Sequence, residues 1–396
     1  MRKLSLDREE GITIGTLSRL SSNSPGGLLL PKLEMLHWEV DIKYTHLPFF
    51  RLFLSPHLKF VDLHTEPNRG PFHQDMVPLI EAIPCLPTPL EHLSFTCGPW
   101  KEGPLKDVIS SLVLQCGTSL RSFESVTPLS EAAFHHLMQL PHLRCLAPGY
   151  EPPRTLQLVT FPPLEELRLG WGGLPWLHLL VERGEGELRN GLVPAPVMLN
   201  TNIKETLKLL RCPWNTPIDS TLLSSVSLFR NLVTLYVSGN YCSVVGHCAF
   251  GLTDDDVENL SATLPRLESL QLGPPCWSNS CNTTVASLVS ISIHCPGLTL
   301  LEIHFNTRTI VVDMQRLLGQ GFRRDRPRCG LCRLPVKDLP LKMRGEDIGT
   351  VAMGFKVIFP RLEGFSGYGR EWGVWRDVAS ELRSNGLLFP SRHPTA

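Results

Sequence analysis

The side chains able to do chemistry are spread along the chain rather than gathered into a motif. Cys329-x-x-Cys332 has the spacing of half a zinc site, and Cys276-x4-Cys281 offers a second pair. Structural zinc needs four ligands, usually as two such pairs. Cys332, however, falls inside Leu331-x-x-Leu334, on the flank of a strand, and His247-Cys248 near Cys242 comes no closer to a ligand set. His135-His136 lies in a helical stretch and His64 in a strand-like one, with no Ser or Cys nucleophile motif beside either. The chain has no Gly-x-Ser-x-Gly, no phosphate loop and no His-Glu-x-x-His. Gly170-Trp171-Gly172-Gly173 lacks the dinucleotide pattern and reads as a turn in which Trp171 and Trp176 pack. The residues therefore assign no catalytic group, no metal and no cofactor. A run of cations, Arg323, Arg324, Arg326, Arg328, Arg333, Lys337, Lys342 and Arg344, reads as a solvated loop, with docking of a phosphorylated or acidic peptide as the functional alternative.

The element that must hold any such group is repeated throughout. Residues 260–272 read Leu-Ser-Ala-Thr-Leu-Pro-Arg-Leu-Glu-Ser-Leu-Gln-Leu. The pattern predicts a helix closing at Leu264, because Pro265 has no N–H and pushes the residue before it out of the α region. Leu267-x-x-Leu270-x-Leu272 then reads as a short strand, with Leu270 and Leu272 on one face and Ser269 and Gln271 on the other. The phrase recurs as Leu33-Leu36-Trp38, Leu58-Val61-Leu63, Leu90-Leu93-Phe95, Leu120-Phe123, Leu143-Leu146, Leu164-Leu167-Leu169, Leu207-Leu210-Cys212, Leu232-Leu235-Val237, Leu298-Leu301-Ile303, Leu331-Leu334-Val336 and Leu362-Phe365. Met1-Leu4-Leu6 reads as a first copy entered midway, as though something upstream were missing. Many copies follow a proline: Pro31, Pro56, Pro89, Pro141, Pro163, Pro265, Pro296 and Pro360. The spacing is ragged, from 21 to 43 residues, and averages about 30, near the long end of leucine-rich periods. This predicts an α/β leucine-rich-repeat solenoid, a horseshoe with a parallel concave sheet and outer helices, of about 12–13 irregular repeats.

Composition agrees. Leucine makes up 67 of the 396 residues, which suits a core of stacked leucines, and the 34 prolines concentrate at repeat junctions. Length alone suggests two or three globular domains, but a solenoid overrides that prior because each repeat buries its apolar face only against its neighbours. Lys+Arg and Asp+Glu are both 38, so nothing calls for nucleic acid or an anionic membrane. No window is apolar enough to span a bilayer, and residues 1–10 lack an apolar signal core. The expected location is cytoplasmic or nuclear, with the 12 cysteines as reduced, mostly buried thiols.

In order along the chain, residues 1–30 read as a partial first repeat and a polar loop, with 7–27 either loop or a frayed outer helix. Residues 31–370 form the repeat array, with a surface insertion near 182–206, and 371–396 form a C-terminal capping helix and tail. Short connections are expected at Leu47–Leu54 and Met76–Ile83. Helices are expected at 104–116, from Ser130 as N-cap, from Thr253 with Asp254, Asp255 and Asp256 at the positive end, from Thr283-Thr284, at 346–358, and at about 372–382. Asn240 is placed at a turn, bonding backbone groups or simply exposed.

The intervening strand positions then face solvent and build a continuous surface: His37, Glu39, Asp62, His64, His92, Glu124, Glu166, Arg168, Arg211, Tyr236, Gln271, Glu302, His304, Arg333 and Lys337. Within it Tyr236, Arg211, Gln271, Glu302, His304, Arg333 and Lys337 are the candidate partner-binding residues. An aromatic anchor among charges of both signs suits a protein or peptide. The function expected is a non-catalytic protein-interaction scaffold. One alternative is an enzyme using the acid and histidines at His37, Asp62 and His64; another is a truncated or decayed repeat protein with no maintained function.

Two stretches carry a family resemblance. One runs Phe229-Arg230-Asn231-Leu232-Val233-Thr234-Leu235-Tyr236-Val237, then Leu252-Thr253-Asp254-Asp255-Asp256-Val257 and Leu264-Pro265-Arg266-Leu267-Glu268-Ser269-Leu270. The other is Thr283-Thr284-Val285-Ala286-Ser287-Leu288, Ser292-Ile293-His294-Cys295 and Glu302-Ile303-His304-Phe305-Asn306-Thr307. Together they resemble the F-box proteins with irregular leucine-rich repeats that are expanded in mushroom-forming fungi, best from about 201 to 383. The resemblance implies the substrate-recognition repeats of a ubiquitin-ligase subunit. Its other half, a helical F-box that binds a Skp-type adaptor, is not visible, since residues 1–30 are too short and too polar to form one. This chain is expected not to retain a Skp-type protein in a pull-down; robust capture would overturn the reading of residues 1–30.

Overall fold

The structure is a computed structural model that describes residues 2–6, 14–23, 27–40, 47–65, 77–78, 80–83, 89–97, 104–149, 161–170, 201–214, 220–239, 251–273, 282–320, 329–331, 333–335, 343–362, 364–366 and 372–384. They fall in two compact units, Met1–Trp176 with Glu182–Thr206, and Leu177–Val181 with Leu207–Ala396.

In the first unit the described strands are β1 (Lys3–Leu6), β2 (Met35–Val40), β3 (Phe60–Thr65), β4 (His92–Cys97), β5 (Ser122–Ser125), β6 (Cys145–Pro148) and β7 (Glu166–Arg168). Each lies parallel to the next in chain order. In the second unit β8 (Leu209–Trp214), β9 (Thr234–Gly239), β10 (Ser269–Leu272), β11 (Leu300–Ile303), β12 (Arg333–Pro335) and β13 (Gly364–Ser366) follow the same rule. Parallel neighbours joined in strict sequence, with helices returning the chain between them, are the leucine-rich-repeat architecture.

The leucine phrases form the core. Leu36, Val61, Leu93, Phe123, Leu146 and Leu167 stand in one register column and are all buried. Leu210, Leu235, Leu270 and Leu301 do the same in the second unit. Phe365, in the last described strand, is half-buried and joins an aromatic cluster with Phe355 and Trp375, ring centroids 5.2 Å from each.

Proline sets the entry to six of the described strands. In Leu140-Pro141-His142-Leu143 the Leu143 N–H donates to the Leu140 carbonyl, and the same turn closes at Leu30–Leu33, Ser55–Leu58, Leu264–Leu267, Cys295–Leu298 and Phe359–Leu362. Proline occupies the second position of each, where its fixed φ suits a β-turn. The residue before it leaves the α region, as at Leu264 (φ −119°, ψ 61°), Cys295 (φ −116°, ψ 72°) and Phe359 (φ −122°, ψ 80°), so the preceding helix ends there.

One residue before nine of the described strands, a single carbonyl accepts two N–H groups from the next repeat. The Glu34 carbonyl takes Lys59 and Phe60, that of Lys59 takes Glu91 and His92, and that of Glu91 takes Arg121 and Ser122. Lys208, Val233 and Glu268 repeat the arrangement in the second unit. In the first unit several side chains at these positions pair with an opposite charge on a neighbouring repeat. Arg2 pairs with Glu34 at 3.5 Å, Glu91 with both Lys59 (3.6 Å) and Arg121 (3.7 Å), and Arg144 with Glu165 at 3.9 Å. These pairs are solvent-exposed and contribute little stability each.

Several helices form as expected: Pro104–Gln115 with proline in its first turn, Glu131–Met138 with the Ser130 hydroxyl accepting from Ala133, and Asp254–Thr263 with a capping box between Thr253 and Asp256. Thr284 caps Val285–His294. The Asp254 carboxylate reaches across to accept from the backbone and hydroxyl of Thr284 and of Ser287, tying one helix start to the next. Trp372–Ser384 buries Trp375, Val378, Ala379 and Leu382 along one side.

The structure adds elements that the pattern left out. Ile14–Asn23 is helical and buries Leu17, which within 7–27 agrees with an outer helix over these residues rather than a loop. Leu47–Phe53 is a 3-10 helix whose Phe50 and Phe53 pack edge-on against Trp38. Short helices stand at Thr201–Thr206 and Ser220–Val226. Ile310–Gly319 is a helix that opens on the β-branched run Ile310-Val311-Val312 with no side-chain cap bond, which hid it. Its Met314 side chain occupies the space where a Cβ on Gly354 would sit, so that glycine lets Gly345–Ile358 approach closely. Residues 182–200 of the insertion near 182–206, Val336 and Asn240 lie outside the described residues.

Leu270→Ala removes a fully buried side chain from the middle of its column. It should cost about 2–5 kcal/mol in chemical denaturation, as truncations of buried leucine do; a loss of a few tenths would place Leu270 at the surface.

Candidate functional site

Each unit presents one outward sheet face, and the strand register decides which side chains meet on it.

In the first unit His37, Asp62, Ser94, Glu124 and Ala147 stand in one column. His37 Nδ1 lies 2.7 Å from Asp62 Oδ2. His64, two residues along from Asp62, instead bonds Thr96 Oγ1 through Nδ1 at 2.5 Å. The three groups of the acid–histidine reading therefore form two separate pairs rather than one relay. Arg168 on β7 reaches Glu166 at 2.9 Å and Glu124 at 3.8 Å; Ala147, between Arg168 and Glu124 in register, is too small to obstruct it. In the neighbouring column the His92 ring stacks on Phe60, centroids 3.9 Å apart and planes within 3°. Burial lowers the His92 pKa from its ordinary value; Asp62 pulls it up and Arg168 pushes it down again. The Cys145 thiol donates to Glu166 Oε2 at 3.7 Å, and burial above all pushes its pKa up to about 11, so at neutral pH it is a thiol and not a nucleophilic thiolate. Phe60, Thr96 and Cys145 were absent from the residues singled out by type; only the register brings them in.

In the second unit Arg211, Tyr236, Gln271 and Glu302 occupy the same position on four successive strands. The Arg211 guanidinium carbon sits 4.6 Å from the centre of the Tyr236 ring. Arg211 is exposed, and Tyr236, Gln271 and Glu302 are half-buried. His304 follows the end of β11, half-buried, its carbonyl accepting from Thr283 Oγ1 at 2.6 Å. The Arg333 backbone pairs with Leu300, one outward position before Glu302. Leu300 is itself on this face and 41% exposed. Lys337 lies outside the described residues.

The remaining sequence candidates disperse. Cys276, Cys281, Cys332, Cys242, His247, Cys248 and Trp171 lie outside the described residues. Cys329 is buried, its thiol donating to the Leu298 carbonyl at 3.7 Å. His135 pairs with Glu131 at 3.7 Å, and His136 Nε2 lies 3.0 Å from the Cys116 carbonyl. Of the basic run, Arg344 pairs with Glu346 at 3.6 Å at a helix start. Gly170 ends a strand; its N–H donates to Pro148, as that of Gly149 does to Ser125, and a Cβ on Gly149 would overlap the Val126 backbone. Among the described residues no three His, Cys, Asp or Glu side chains gather to hold a metal ion, and no helix is long and apolar enough to cross a membrane.

No protein-family model matches the chain, and no curated protein matches it. Among solved structures it is similar to the leucine-rich repeat-containing protein LegL7 from Legionella pneumophila, at 11% identity and a TM-score of 0.35, over 96% of this chain and 97% of that one. At so low a score the repeat assignment rests on the strand register and buried columns described above.

Because folding lowers the His92 pKa, the unfolded chain takes up that proton more readily than the folded one as pH falls through the ordinary value of 6.5. Stability is unaffected by this group above that value and declines below it. His92→Gln should therefore lose less stability than the wild type between about pH 7.5 and about pH 5, read from denaturation midpoints. An equal loss would mean that His92 does not resist protonation.

Proposed function

We propose that this chain is a non-catalytic protein-interaction scaffold whose working surface is the outward face of β8 to β11. The supporting observation is the in-register row Arg211, Tyr236, Gln271 and Glu302, with the guanidinium stacked on the ring. Tyrosine and arginine are the side chains that most often carry binding energy, and an open solenoid sheet is a usual binding surface. His304, Arg333 and Lys337 extend the surface. In this reading 31–370 is the recognition array and the helix in 371–396 closes its last repeat. The resemblance to F-box repeat proteins supports a finer reading, a receptor that holds substrates for ubiquitin transfer in the cytoplasm or nucleus.

Tyr236→Ala tests the surface. Partner capture in proximity labelling should fall by a factor of about 30 or more, as for an interface hot spot, while the denaturation midpoint stays nearly unchanged. Unfolding of the variant would instead put Tyr236 in the core and the phase of that strand off by one residue. Intact folding with intact capture would move the working surface elsewhere.

A further inference from the structure

Two arginines stand at outward strand positions in the two units, and their surroundings differ. Arg168 is held between two carboxylates, Glu166 and Glu124. Arg211 has an aromatic ring beneath it and, among the described residues, no carboxylate on it. The acid in its own row is Glu302, three strands away, or roughly 14 Å at ordinary strand spacing, which is beyond ion-pair reach. The Tyr236 ring holds the guanidinium over it while Arg211 stays exposed, a fork free to match a carboxylate. The same face exposes Leu300, 41% accessible and one outward position before Glu302. From Arg211 to Leu300 the lattice spans roughly 15 Å, about four to five residues of extended peptide.

Resting on the reading of this face as an interaction surface, we infer that it receives an extended acidic peptide segment of a protein partner. One Asp or Glu of the segment is bound by the Arg211 fork over Tyr236, and an apolar side chain about four to five residues away rests on Leu300. The partner is thus an acidic, extended segment rather than a basic one, although the chain as a whole carries no net charge.

Random dodecapeptides displayed on phage and panned against the full chain, the Arg211→Glu chain and the Tyr236→Ala chain test this. Wild-type binders should be enriched in Asp or Glu, with an apolar residue at the stated spacing. Arg211→Glu should weaken those binders by roughly 10- to 100-fold and, when panned itself, should select Lys or Arg in their place. Arg211→Gln keeps a polar side chain of similar reach and should show the loss without the reversal, which guards against a folding defect. Binders that need Tyr236 but show no acidic enrichment and ignore Arg211→Glu would overturn the carboxylate inference and leave the surface standing. Binders indifferent to both substitutions, or no binders at all, would overturn the surface and the inference together.

Discussion

The structure depends on one backbone arrangement: the carbonyl just before nine of the described strands accepts two N–H groups from the repeat that follows. Both donors come from consecutive residues, as when Lys59 and Phe60 donate to Glu34 or Glu268 and Ser269 to Val233. A shared acceptor leaves no freedom to slide by one residue, because a slip would break both bonds at once. Register matters here because side chains alternate with period 2, so a one-residue shift would turn Leu36, Val61 and Leu93 outward and His37, Asp62 and Ser94 inward. The buried leucine column and the outward polar row are two results of one pinned register.

What happens between the strands is constrained far less. The turn built on Leu140-Pro141-His142-Leu143 and its copies delivers the chain to the strand at a fixed point, whatever precedes it. The connection upstream takes the form of a 3-10 helix at Leu47–Phe53, a short helix at Glu131–Met138 or a longer one at Gly345–Ile358. Helix starts are secured locally, and in one case across repeats, where Asp254 accepts from Thr284 and Ser287. This is why a ragged sequence period is compatible with an in-step sheet.

The same division explains what was legible in the sequence. The leucine phrases announced every strand core, because burial demands apolar residues at fixed offsets. The outward placement of Arg211, Tyr236, Gln271 and Glu302 followed from phase alone. The stacking of Arg211 on Tyr236 did not, since it requires the two strands to be adjacent and the long Arg211 side chain to fold across. Phe60 under His92, Thr96 beside His64 and the ion pairs from Arg2 to Glu165 were hidden for a related reason. Their partners are some 21 to 32 residues apart in the chain, and only the register converts such separations into neighbours. Ile310–Gly319 escaped because its β-branched opening favours strand by propensity, whereas packing of Met314 over Gly354 makes it a helix.

The two outward faces show how one scaffold position takes opposite electrostatic roles. Arg168 lies between two acids, and the small Ala147 in register between Arg168 and Glu124 lets the side chain stretch sideways to them. A cation so enclosed already has its anions, and a ligand would have to displace them. At Arg211 the neighbour in register is an aromatic ring, which orients a guanidinium without neutralising it, since a quadrupole offers attraction but no compensating charge. Whether an arginine at such an outward position is closed or open to a ligand is therefore decided by the side chains that its own and its neighbouring strands set around it.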